Sequence, residues 1–128
     1  MAPRQLSLLN TGGPHTVVHD VKAALASAVK DSKESREQVL DRVNALARRH
    51  GIKLSGSAGL SQAMFDKWLN VEDDSRVPGI KGLVLLCQAL DTIEPLEAMA
   101  RAIGAKMISG DDITLLELAR AQQESKRL

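Results

Sequence analysis

The chain has 128 residues, 44% of them hydrophobic and 26% charged, with a formal net charge of +1. That length suits one core with an appendage, and that composition belongs to a folded water-borne chain rather than a disordered tract. No apolar run approaches the roughly 20 residues of a membrane helix and no basic-then-apolar leader is present, so a cytoplasmic protein without membrane contact is expected.

Residues 1–16 contain Pro3, Asn10, Gly12, Gly13 and Pro14 and lack a helical period, which predicts an arm. Apolar residues then recur at Val18, Val21, Leu25 and Ala28/Val29, the spacing of one helix face, with an end near Asp31 and Ser32. Ser35 followed three positions later by Gln38 has the form of a capping box. The second helix that it starts carries the stripe Val39, Leu40, Val43, Leu46 and Ala47. Arg48 and Arg49 suit its negative end, and Gly51 supplies the left-handed residue that stops it.

Residues 52–59 include Ser55, Gly56, Ser57 and Gly59, the composition of a loop. Leu60 precedes a capping Ser61 and is placed to staple onto Phe65, so a third helix is predicted over 61–69. Its inward stripe is Leu60, Met64/Phe65 and Trp68. The two aromatic residues of the whole chain therefore share one helix.

Pro78 suits the first turn of a fourth helix with the stripe Ile80, Leu83, Val84, Cys87 and Leu90. Pro95 opens a fifth, with Leu96, Met99, Ala100 and Ile103 on one side and Gly104 at its end. After a link at 105–108, Ser109 and Asp112 cap a last helix bearing Ile113, Leu115, Leu116 and Leu118, which turns polar by Gln122 and frays from Glu124. No strand pattern and no repeat intervene, so the fold class expected is all-α.

The reactive residues are dispersed. His15, His19 and His50 have no partners at ligand spacing, and the pairs Asp73/Asp74 and Asp111/Asp112 are chain neighbours whose carboxylates point apart. Cys87, the single cysteine, sits in an apolar pattern and reads as a reduced core thiol. No phosphate loop or nucleophile motif occurs. An enzyme, a cofactor, a metal site and a small-molecule substrate are all unexpected.

Attention therefore falls on the outer face of the third helix, which carries Gln62, Ala63, Asp66 and Lys67. The run from Leu60 through Ser61, Gln62, Ala63, Met64, Phe65, Asp66 and Lys67 to Trp68 resembles the recognition helix of lambda-type repressors and Cro proteins. That family places there a small apolar residue, Ser or Thr, two polar reading residues, a helix-filling pair and often Trp. Val18 to Lys30, Ser35 to Ala47 and Pro78 to Leu90 resemble its other helices, so the likeness spans over half the chain. A looser similarity extends to small regulators of Mu-like transposable prophages.

The resemblance implies a four-helix helix-turn-helix core at 17–92, an N-terminal arm at 1–16, and a C-terminal helical extension at 93–128 that oligomerises. It implies a phage or prophage transcriptional regulator, often a repressor, that binds double-stranded DNA as a homodimer or higher homo-oligomer and reads the major groove. Gln62 would pair with adenine, Ala63 would touch a thymine methyl and Lys67 would donate to guanine, with Ser61 and Asp66 completing the recognition helix. Ser35, Arg36, Gln38, Arg76 and Lys81 would hold phosphates.

The chain departs from that pattern in three places. Residues 52–60 replace a tight turn, Leu69, Asn70 and Val71 follow the Trp where the family often has Glu and Gly, and Asp66 with Glu72, Asp73 and Asp74 brings negative charge beside the reading face. The near-neutral total and the charge division, nine Lys/Arg against five Asp/Glu in 1–57 and eight against eleven in 58–128, keep a second possibility open. This is a helical interaction adaptor or antirepressor with the same fold and no affinity for DNA.

Overall fold

The computed structural model describes residues 13–54 and 59–127, which form helices and connecting loops without a strand. In chain order the helices are α1 (Val17–Asp31), α2 (Arg36–Arg49), α3 (Gln62–Leu69), α4 (Ile80–Leu90), α5 (Glu94–Ala102) and α6 (Gly110–Arg127). A 3-10 turn at Pro14–Thr16 leads into α1, so Pro14 belongs to the folded body rather than to an arm. The rest of the expected arm, residues 1–12, and loop residues 55–58 lie outside the described residues.

Local chemistry sets the limits of α2. The Ser35 hydroxyl accepts from the Gln38 amide while the Gln38 side chain accepts from the Ser35 amide, satisfying donors the helix itself cannot. At the other end Gly51 takes φ +66°, and the Ile52 amide turns back to the Ala47 carbonyl at 2.8 Å. The last turn of α5 closes the same way, with Gly104 at φ +76° and Ala105 donating to Ala100.

The core gathers around α1, which packs on α5, α3 and α4, while α2 lies against α4. Leu25, Val39, Val43, Phe65 and Leu86 are fully buried at its centre. Ile52 and Leu54, from the long link, also pack on it, so that loop is tethered at its start.

Two inward faces differ from expectation. On α4 the buried residues are Gly82, Leu83, Leu85, Leu86, Cys87 and Ala89, whereas Ile80 and Val84 point outward, Ile80 at 86% exposure. Nearly every side of α4 is apolar, and its rotation follows the close approach of Gly82 to Trp68. Pro78 lies outside the helix, which starts after Gly79. On α5 the buried pair is Pro95 and Ala98, and Met99 and Ile103 are exposed, because the small residues let α5 sit close on α1. The core consequently reaches beyond residue 92, and α5 is part of it.

Helix α6 behaves differently. It stays helical through Arg127, past the fraying expected at Glu124, and every described side chain from Ile108 to Ser125 is exposed. No described helix is long and apolar enough to cross a membrane.

The contact between α4 and α3 yields a direct test. A Cβ on Gly82 would lie 2.9 Å from Trp68 Cη2 and 3.2 Å from Cζ3, and an indole ring held in a core cannot swing aside. Gly82→Ala gains up to ~1 kcal/mol of helix propensity but meets overpacking of about 1–3 kcal/mol. A net loss of about 1 kcal/mol is expected in urea unfolding, and a stabilised variant would show that α4 is not pinned there.

Candidate nucleic-acid interface

The short helix α3 is held at three points, and these decide which of its atoms face solvent. At its start, the Ser61 hydroxyl accepts from the Met64 amide, which satisfies a first-turn donor. One residue earlier, Asn44 of α2 grips Leu60 from both sides. Its Nδ2 donates to the Leu60 carbonyl at 3.0 Å and its Oδ1 accepts from the Leu60 amide at 2.9 Å. Gly59 makes room for this with φ +84°, since a Cβ there would sit 2.9 Å from Asn44 Oδ1.

Along its length, α3 is anchored by Phe65, Trp68 and Leu69, all buried. At its far end stands Lys22 of α1, fully buried. The ammonium donates to the carbonyls of Lys67 at 3.0 Å and Asn70 at 3.1 Å, and to the carbonyl of Asp73. Three donors meet three acceptors. A positive charge at the negative end of α3 also complements the helix dipole. The Asp73 carboxylate turns away to accept from the amide and hydroxyl of Ser75, bonds that hold its pKa below the ordinary value.

With those anchors in place the outer face consists of Ser61, Ala63 and Lys67, all exposed, with Gln62 and Asp66 half-buried. Lys67 makes no side-chain hydrogen bond or ion pair with the described residues. Gln62 is tied to its own helix, its Nε2 donating to Asp66 Oδ1 at 3.0 Å. The same oxygen accepts from Arg36, the first residue of α2, also at 3.0 Å. The Gln62 carbonyl oxygen and Lys67 ammonium therefore remain free on the face, while the Arg36 charge is partly neutralised.

The structure thus brings Arg36, Gln62 and Asp66 together and leaves Ala63 and Lys67 beside them. Ser35 and Gln38, expected at phosphates, spend one hydrogen-bonding capacity each on the capping box, which leaves the Gln38 amide nitrogen and the Ser35 hydroxyl proton outward. Arg76, in the loop after α3, and Lys81, in the first turn of α4, are exposed, and no bond links either to the Arg36–Asp66 group. Arg42, also on α2, is paired with Glu34. Cys87 is buried, and burial pushes its thiol pKa up, consistent with a packing role.

The features that sequence reasoning missed are Lys22, Asn44 and the Arg36–Asp66 pair. Lys22 had a local signal, since it shares a helical stripe with Val18, Leu25 and Val29. No protein-family model, curated protein or solved structure matches the chain.

Proposed function

We propose that the chain binds double-stranded DNA through the outer face of α3 and acts as a sequence-specific transcriptional regulator of the repressor type. One observation carries this reading: α3 is a helix of only eight residues, clamped at both ends and along one side, that keeps Gln62, Ala63 and Lys67 outward. A base reader needs that rigidity, because direct readout depends on donors and acceptors held in place before contact. The start of α2, with Arg36 and the Gln38 side-chain Nε2, supplies phosphate donors alongside.

In the groove, the free Gln62 oxygen accepts from the adenine N6 amino group, Ala63 meets a thymine methyl and Lys67 donates to guanine. Titrating the protein into labelled duplex from around its own gene, with anisotropy read across a salt series, tests the proposal. Binding that weakens linearly in log–log form with salt is the expected result. Gln62→Ala with Lys67→Ala should weaken it about tenfold or more, from the ~1–3 kcal/mol of each base contact. Absence of salt-dependent binding at low ionic strength overturns the reading.

A second reading is favoured by the carboxylate at the centre of that face. Asp66 occupies both Gln62 and Arg36 and repels phosphate, as an interaction adaptor or antirepressor with no DNA affinity would tolerate. Under it the double substitution leaves biological activity intact.

A further inference from the structure

We infer that Arg48, Arg49 and Lys53, at the far end of α2 and just past it, form a second phosphate grip on duplex DNA, beyond the start of α3; the inference rests on the reading of α3 given above and extends the interface to the other strand. Residues 42–65 contain no Asp or Glu and carry Arg42, Arg48, Arg49 and Lys53. Arg42 is spent on Glu34, whereas the other three are exposed and make no side-chain hydrogen bond or ion pair with the described residues. The negative end of α2 explains a cation in its last turn, but Lys53 lies past Gly51, outside the helix. Three cations with no carboxylate among them along the chain give a nearly neutral protein a local positive field.

The backbone that carries them is fixed. The amides of His50, Gly51 and Ile52 donate to the carbonyls of Leu46, Arg48 and Ala47, and Ile52 and Leu54 pack on the core on either side of exposed Lys53. Position follows from α2. Arg36 at its start touches Asp66 within α3, Asn44 in its middle holds Leu60 just before α3, and Arg48 stands one turn further along on the Asn44 side. The helix therefore runs alongside α3 with Arg36 at one end and Arg48 past the other. From Arg36 to Arg48 it spans ~18 Å, against a major groove ~12 Å wide, so side chains leaning inward from its two ends reach the two phosphate rims of the groove that α3 enters.

Anisotropy of a labelled duplex of random sequence, titrated with the full chain across a salt series, tests this without the operator, because phosphate contacts ignore sequence. Arg48→Gln with Arg49→Gln and Lys53→Gln should lower the log–log salt slope by about 2 to 3, near one per cation, and weaken binding about tenfold or more at low salt. Arg48→Lys with Arg49→Lys should keep the wild-type slope. Arg101→Gln with Lys106→Gln removes two exposed cations from α5 and the link after it, and should change the slope by less than about one. Were the triple variant to lose its helical circular dichroism, Lys53→Gln alone, outside any helix, should still lower the slope by about one. Wild-type slope in both the triple variant and Lys53→Gln overturns the inference and leaves the reading of α3 standing, as does an equal loss in the Arg101 and Lys106 control, which would mark an effect of total charge. No binding of any duplex by the wild-type chain overturns both.

Discussion

Lys22→Met is expected to lower stability by about 3 kcal/mol, seen as a shift of the urea midpoint at unchanged slope and a fall in Tm of about 10 °C. Methionine fills nearly the same volume, so the loss is polar. The carbonyls of Lys67, Asn70 and Asp73 lose their donor at once, on the side that faces a fully buried residue. Each orphaned carbonyl costs about 1–3 kcal/mol, and the gain from no longer burying an ammonium offsets part of the total. The loss exceeds that of Gly82→Ala because strain can relax through small backbone shifts, whereas an acceptor without a donor has no local remedy.

Lys22→Arg should not rescue the protein. A guanidinium is a planar fork suited to two parallel acceptors, and these three carbonyls converge on one point. A shift below about 1 kcal/mol for the methionine variant would show that water replaces the ammonium, and that the end of α3 is less dry than its fully buried lysine indicates.

The contrast between α2 and Lys22 shows why some of this structure was legible in the residues and some was not. The start and end of α2 are written within a few positions, in Ser35 with Gln38 and in Gly51, because caps are satisfied locally. The start of α3 was legible for the same reason, through Ser61 and the Leu60–Phe65 staple. The carbonyls that hold Lys22 lie 45 to 51 positions away along the chain, so its place on the inward stripe of α1 was legible but the acceptors that let it be buried there were not.

The faces of α4 and α5 belong to the same second group. Where apolar residues surround a helix, periodicity does not choose a side; Gly82 against Trp68 chooses it for α4, and Pro95 with Ala98 chooses it for α5. At the candidate interface, the outward positions of Ala63 and Lys67 followed from helical period alone. The tie from Asp66 to both Gln62 and Arg36 did not, since Arg36 comes from another helix.

Asn44→Ala is the second large effect expected, about 2–3 kcal/mol, and it acts on the register of α3 as well as on its stability. The asparagine imitates a strand neighbour, taking the Leu60 amide and giving to the Leu60 carbonyl, and alanine leaves both without partners beside a buried leucine. Asn44→Asp separates the two bonds. The aspartate still accepts from the amide, but its second oxygen faces the carbonyl, so the variant is destabilised at neutral pH. Acidification protonates the carboxyl and lets it donate, so part of the loss returns as pH falls, a recovery the alanine variant lacks. Exchange of the Leu60, Met64 and Phe65 amides should quicken in Asn44→Ala, and of the Met64 and Phe65 amides in Asn44→Asp at neutral pH, while exchange in α2 stays slow. Were those amides to keep wild-type protection in Asn44→Ala, Gly59 and Ser61 alone would position the helix, and the clamp from α2 would have no part in presenting Gln62 and Lys67.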